Sequence, residues 1–184
     1  MTDDRQAEEL KLIELMIDYQ KGDMDAFTGL YEALKRPLIR YLWTFVRNQN
    51  TAEDLLQETF LQLHRARHTY TPSRPVRPWI YAITRHVALM HLRTIRRRKE
   101  SLPDEDLPDI PVPPEIDRFA DRATVQRLLS TLPEAAREVL ILHHLLGLSF
   151  DEVGQVIGVA AGTAKVRAHR AIKTIRQRFD GEDG

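Results

Sequence analysis

Five prolines fall within the twelve residues from Pro103 to Pro114, and this constrains the fold more than any other feature. Each proline fixes φ and removes a backbone donor, so the segment cannot continue a helix. It is also acidic and free of aromatic residues, so it cannot build a core. The chain is therefore divided. A helical block is expected at residues 8–99, a linker at 100–120 and a second helical block at 121–180. The fold class that follows is all-α: two small helical domains joined by a flexible, Pro-rich, acidic linker.

Apolar residues recur at three-to-four spacing in both blocks. Leu12, Leu15, Met16 and Tyr19 mark one helix face, and Lys21-Gly22-Asp23 ends it. A second helix begins near Met24, and Pro37 implies a new start or a kink. Leu38, Tyr41, Leu42, Phe45 and Val46 form the stripe that follows it. Thr51 is placed to cap a helix reaching about His68 that buries Leu56, Phe60 and Leu63. Residues 71–78 hold three prolines and read as a loop. The next helix, from about Pro78 to Arg98, carries Trp79, Ile80, Ile83, Val87, Met90 and Ile95 as its apolar positions. In the second block a helix is expected over Asp121 to Ser130. Thr131 and Glu134 stand in capping-box positions for another, which carries Val139, Leu140, Leu142 and Leu145 and stops at Gly147.

Formal net charge is zero, with 27 Lys/Arg against 27 Asp/Glu, but the charges are segregated. Arg65 to Lys99 contains ten basic residues and no acid, Glu100 to Asp121 eight acids and one Arg, and Val159 to Phe179 six basic residues and no acid. A phosphate backbone responds to potential within about 8–10 Å, so the two basic blocks outweigh the zero sum and suit an anionic partner. There is no cysteine, which excludes disulfides, thiolate metal sites and cysteine nucleophiles and suits a reducing cytoplasm. No apolar run is long enough for membrane insertion, and the acidic N-terminus is no secretory signal.

The C-terminal pattern is specific. Ser149-Phe150-Asp151-Glu152 is a capping box opening a short helix to about Ile157. Gly154 is small where two helices would cross, and Gly158 can take the positive φ that leaves the first helix. Val153, Ile157 and Val159 are expected to fix the angle between the helices. A longer basic helix follows, running to Phe179. Together these form the outline of a helix-turn-helix whose second helix enters a major groove by its N-terminal half.

Three segments of the first block complete the pattern: Gly22 to Tyr31, Ala52 to Leu61, and Arg77 to His86 continuing to His91-Leu92-Arg93. In this order and spacing they resemble region two of the extracytoplasmic-function (ECF, group IV) sigma factors of the sigma-70 family. Ser149 to Arg170 resembles region four. The resemblance covers roughly residues 20–98 and 125–179. It implies a protein that binds core RNA polymerase and directs promoter-specific initiation, with no catalytic residue, metal or cofactor of its own. Asp54, Gln57, Glu58 and Leu61 would meet the polymerase clamp helices. Arg77, Trp79, Arg85, His86, Arg93, Arg96 and Arg97 would serve the −10 element. Gly162, Thr163, Lys165, Arg167, His169, Arg170 and Lys173 would serve the −35 element. Trp79 can equally be a core anchor. Leu145, Leu146 and Leu148 can be core or a surface for the polymerase flap. An anti-sigma factor is an expected partner, and the free protein should bind DNA weakly. The family usually has Asn at the position of His86, Asp at that of Met90, Val at that of Ala164, and a small polar residue at that of Val166. No intermediate third domain fits between the blocks.

Two other readings are open to the residues alone. A non-sigma helix-turn-helix transcription regulator would share the C-terminal pattern but has no need of the Ala52 to Leu61 segment. An enzyme would need a third ligand or a nucleophile motif beside His64 and His68, or His143 and His144, and neither is signalled.

Overall fold

The structure, a computed structural model, describes residues 2–46, 48–100 and 132–182, with side chains over 4–46, 48–98 and 132–177. Nearly all of the expected linker and the helix expected at Asp121 to Ser130 lie outside the described residues. The chain divides into two compact units, Met1–Pro111 and Val112–Gly184. Among the described residues both are helical, with no strand.

In the N-terminal unit α1 spans Thr2–Gln20 and buries Leu12, Met16 and Tyr19. Gly22, at φ +102°, turns the chain. The Asp23 carboxylate then accepts from the amides of Asp25 and Ala26 at 2.8 and 3.2 Å, capping α2, Met24–Val46. Of the new start or kink expected at Pro37, the new start is absent: α2 runs through it. The ring costs one backbone hydrogen bond, but Leu34, Leu38, Tyr41 and Leu42 are all buried on either side, and their common stripe holds the helix together.

Helix α3, Gln49–Ala66, is capped by Asn48 rather than Thr51. The Asn48 side chain accepts from the Thr51 amide at 2.9 Å, so Thr51 lies inside the first turn. Leu56, Phe60 and Leu63 are buried as expected, joined by Ala52, Leu55 and Thr59. The helix tightens into a 3-10 turn at Arg67–Thr69 before a short loop. Helix α4, Val76–Glu100, starts two residues earlier than expected. Pro78 then occupies its third position, where a backbone N–H has no partner within the helix and its loss costs little. Val76, Ile80, Tyr81, Thr84, Val87 and Ala88 are buried. Met90 and Ile95, expected on the apolar face, are exposed; beyond Ala88 no described α4 side chain is buried. The four helices share one core of leucines and aromatic rings, with Phe27 edge-on to Phe60 and Tyr41 edge-on to Tyr81.

In the C-terminal unit α5, Glu134–Leu140, opens on Pro133, which gives it no side-chain cap, and Thr131, expected in a capping box with Glu134, lies outside the described residues. It runs on as a π-helical turn, Ile141–Leu145, and Gly147 at φ +72° ends it. Helices α6, Phe150–Ile157, and α7, Ala161–Glu182, follow. Leu140, Ile141, Leu142 and Leu148 are buried, as are Val153 and Val156 of α6 and Ala164, Ala168 and Ala171 of α7. Val156 joins Val153 on the buried stripe, and Ile157 and Val159 are half-buried.

Candidate functional site

The α6–turn–α7 geometry is set locally. Ser149 Oγ accepts from the Glu152 amide at 3.2 Å, and the Glu152 carboxylate accepts from the Ser149 amide at 2.6 Å, closing the capping box. Gly158 ends α6 in the left-handed region at φ +74°. A Cβ on Gly154 would lie 2.5 Å from the Val159 carbonyl oxygen, so the chain can fold back onto α6 only because none is there. Ala164, Ala168 and Ala171 turn inward and fix the rotation of α7. Gly162, Thr163, Lys165, His169, Arg170 and Lys173 are consequently exposed, with Arg167 half-buried. All seven residues expected at the −35 element therefore sit on one helix, six of them in solvent.

A histidine clip braces the entry to α6. His143 Nδ1 lies 2.6 Å from the Leu148 carbonyl oxygen, which can only accept, so this nitrogen carries the proton. The ring also stacks on Phe150, the first residue of α6, at 4.0 Å between centroids. The π-helical turn brings His143 to this position, which α-helical periodicity in the sequence gave no means to foresee. Partial burial, and secondarily His143, hold the neighbouring His144 below the ordinary imidazole range. Of the three leucines with two possible roles, Leu148 is core, Leu146 is half-buried and Leu145 is exposed.

On α3 the buried stripe leaves Asp54, Gln57 and Leu61 exposed and Glu58 half-buried. Leu61, at 43% exposure, is an apolar spot on that polar face. Glu58 and Leu55 form one wall of a cleft of about 390 Å³, and His86, Val87, Met90 and His91 of α4 form the other.

Along α4 the expected residues separate by position. His86, Arg93, Arg96 and Arg97 are exposed, and Arg85 and Trp79 are half-buried. Trp79 packs its ring on Tyr70, 5.2 Å between centroids. Burial, then the Glu9 carboxylate, push the Tyr70 hydroxyl up to about 12, so it stays protonated and donates to the Arg74 carbonyl at 2.6 Å. Arg77 is engaged within the protein: it pairs with Glu8 at 2.6 Å and Glu9 at 3.5 Å. Glu9 also accepts from the backbone amides of Val76 and Arg77, so a carboxylate of α1 caps α4 across 67 residues of sequence. At the other end of α1, Gln20 donates to the carbonyls of Arg67 and Tyr70 at 2.6 and 2.9 Å. The loop preceding α4 is thus held at both ends by α1. Sequence reasoning missed Glu8 and Glu9 because nothing local marks a cap so distant.

Among the described residues no three His, Cys, Asp or Glu side chains are grouped to hold a metal ion. Nor is any helix there long and apolar enough to cross a membrane.

The sequence matches the family models for Sigma-70 region 2, over residues 30–98, and Sigma-70, region 4, over residues 122–175. It is 33% identical over 161 residues to the RNA polymerase sigma factor CarQ of Myxococcus xanthus, covering 86% of this chain and 92% of that protein. It is also 33% identical over 187 residues to the ECF RNA polymerase sigma factor SigF of Caulobacter vibrioides, covering 96% and 98%. In fold it is similar to CnrH, solved in complex with the cytosolic domain of CnrY (TM-score 0.71, 22% identity, 93% of this chain and 98% of that one). It is similar too to the sigma factor RpoE of Bartonella quintana, solved with the anti-sigma factor NepR (TM-score 0.71, 20% identity, 84% and 96%). None of these matches supports the reading as a non-sigma regulator. Both regions in order, and relatives covered almost end to end, lead to one conclusion: the chain belongs to the extracytoplasmic-function sigma factors of the sigma-70 family, which direct promoter-specific initiation of transcription.

Proposed function

We propose that this sigma factor binds core RNA polymerase through the outer face of α3 and reads promoter DNA with α4 and α7, as two domains, residues 8–99 and 121–180, held by a linker at 100–120. Asp54, Gln57, Glu58 and Leu61 meet the polymerase clamp helices, and exposed Leu145 meets the flap. His86, Arg93, Arg96 and Arg97 hold the −10 region, where half-buried Trp79 and Arg85 border the unstacked strand. Arg77 contributes by anchoring the start of α4 through its pairing with Glu8 and Glu9. Gly162, Thr163, Lys165, Arg167, His169, Arg170 and Lys173 meet the −35 element in the major groove. The nucleotide chemistry belongs to the polymerase, the factor itself is no enzyme, and it works in the cytoplasm. An anti-sigma factor that covers these surfaces is part of the proposal.

The observation that carries the reading is the rotation of α7. Three alanines face inward while cationic and hydrogen-bonding side chains face solvent along the half of the helix that follows the turn. The test is transcription in vitro by core polymerase with and without the factor, on a promoter library read by sequencing. Initiation at a defined set of two-element promoters, found only with the factor present, is expected. Initiation no different from core alone would overturn the proposal.

A further inference from the structure

The exposed face of α7 contains one residue out of keeping with its neighbours. Val166 is 49% exposed, while the short alanines on either side of the helix are buried. Thr163 precedes it by three positions, and His169 and Arg170 follow by three and four; all three are exposed. Side chains at these spacings are neighbours on one helix face, so Val166 sits amid the groups that can donate or accept hydrogen bonds. It belongs neither to the core stripe nor to the cationic set.

From this placement we infer that Val166 is a specificity-determining residue that packs against the C5-methyl group of a thymine in the upstream promoter element. The inference rests on the reading of α7 as the helix that enters the major groove there. In that groove thymine is the base that offers a methyl group, and the other edges offer hydrogen-bond donors and acceptors. A valine side chain can bury the methyl but cannot pair with the cytosine amino group or the guanine oxygen, so it favours thymine both by contact and by leaving competitors unsatisfied. Because valine is β-branched, its χ1 is already restricted in a helix, and little freedom is lost when the contact forms. Ala164 and Ala168, buried to either side, keep α7 from rolling to hide the valine. Neighbouring Thr163, His169 and Arg170 remain available for phosphates and other base edges.

The test uses holoenzyme assembled from core polymerase and the full chain, on a promoter selected by that holoenzyme from a randomised library. Each upstream thymine is replaced singly by deoxyuridine, which removes only the methyl group. Promoter affinity is measured for the wild type, Val166→Ala and Val166→Ser. At one thymine, deoxyuridine should weaken wild-type binding roughly three- to fivefold, the worth of about one buried methyl. Val166→Ala should lose a similar factor on the thymine promoter and nothing further with deoxyuridine at that position. Val166→Ser, put through the same selection, should relax the thymine preference there and leave other positions unchanged. Identical deoxyuridine profiles for the wild type and Val166→Ala would overturn the inference while leaving the −35 reading intact. Scrambling the whole upstream element with no effect on any of the three proteins would instead remove the −35 reading, and the inference with it. Alanine at an exposed helical position favours the helix, and circular dichroism confirms that the variants fold.

Discussion

The two units solve the same packing problem with different materials. Of the twelve largest fully buried side chains among the described residues, ten belong to the N-terminal unit, including Tyr19, Tyr41, Met16 and a row of leucines, and only Leu142 and Leu148 belong to the C-terminal unit. There α7 contributes three alanines instead, and α6 contributes two valines and Gly154. Large side chains hold helices apart around a substantial apolar volume, whereas small ones let backbones approach closely and bury little. The N-terminal unit therefore rests on core volume. The described part of the C-terminal unit leans more on backbone devices: a close approach, a left-handed residue, a capping box and a histidine clip. A small domain built this way has a narrow margin of stability.

This contrast can be broken most severely at Gly154. A Gly154→Val substitution drives a side chain into the Val159 carbonyl and should cost about 3 kcal/mol or more, unfolding the C-terminal unit alone. Amide exchange should show α6 and α7 unprotected. Tryptophan fluorescence should be unchanged, because both tryptophans, Trp43 and Trp79, report on the other unit. Loss of protection in α2 as well would show that the units are not independent. Next in size, Leu38→Ala and Leu142→Ala should each cost about 3 kcal/mol. The N-terminal unit should tolerate its loss with a lowered urea midpoint, whereas the C-terminal unit should lose its cooperative transition. Gly158→Ala, which forces a Cβ into the left-handed region, should cost roughly 1–2 kcal/mol, and Ser149→Ala about 1 kcal/mol. Both should be seen in amide exchange of α6 while α1 to α4 are unaffected.

The smallest expected effect is a pH dependence confined to the C-terminal unit. His144 titrates below its ordinary 6.5 in the folded state. As pH falls through the ordinary imidazole range, the unfolded chain therefore takes up a proton before the folded one does. Stability should fall slightly from about pH 7 downward, and level off once the folded form is protonated too. His144 is largely exposed, so solvent screens most of this. His144→Gln should flatten the slope of α5 amide protection between pH 7 and 5. A steeper slope in the variant would contradict the assignment.

What the sequence made legible were features whose physics is local. The Ser149–Glu152 box, the positive φ of Gly158, the tight crossing at Gly154 and the buried faces of α1 and α3 each follow from residues a few positions apart. The errors have equally physical reasons. Asn48 and Thr51 can both cap, and only the path of the chain decides for Asn48. A new helix start at Pro37 was open to the sequence because the local cost of the ring is visible and the packing that carries α2 through it is not. Met90 and Ile95 keep the helical period, yet α4 offers them no buried surface. The π-helical turn and the Glu9 cap were beyond reach, one because it departs from the 3.6-residue repeat, the other because its partners lie 67 and 68 residues apart. Among the site residues, the exposed set on α7 was legible from the spacing, while the internal pairing of Arg77 was not.

The carboxylate seated at the start of α4 also makes the two ends of that helix electrostatically unlike. An open helix N-terminus attracts phosphate, but here two amides are already taken by Glu9 and the third position is Pro78, which has no amide to give. The anion seat is filled from within. At the trailing end of α4 Arg93, Arg96, Arg97 and Arg98 are exposed to solvent. The two ends of α4 thus differ in charge, one neutralised by a contact made 67 residues upstream and the other left cationic.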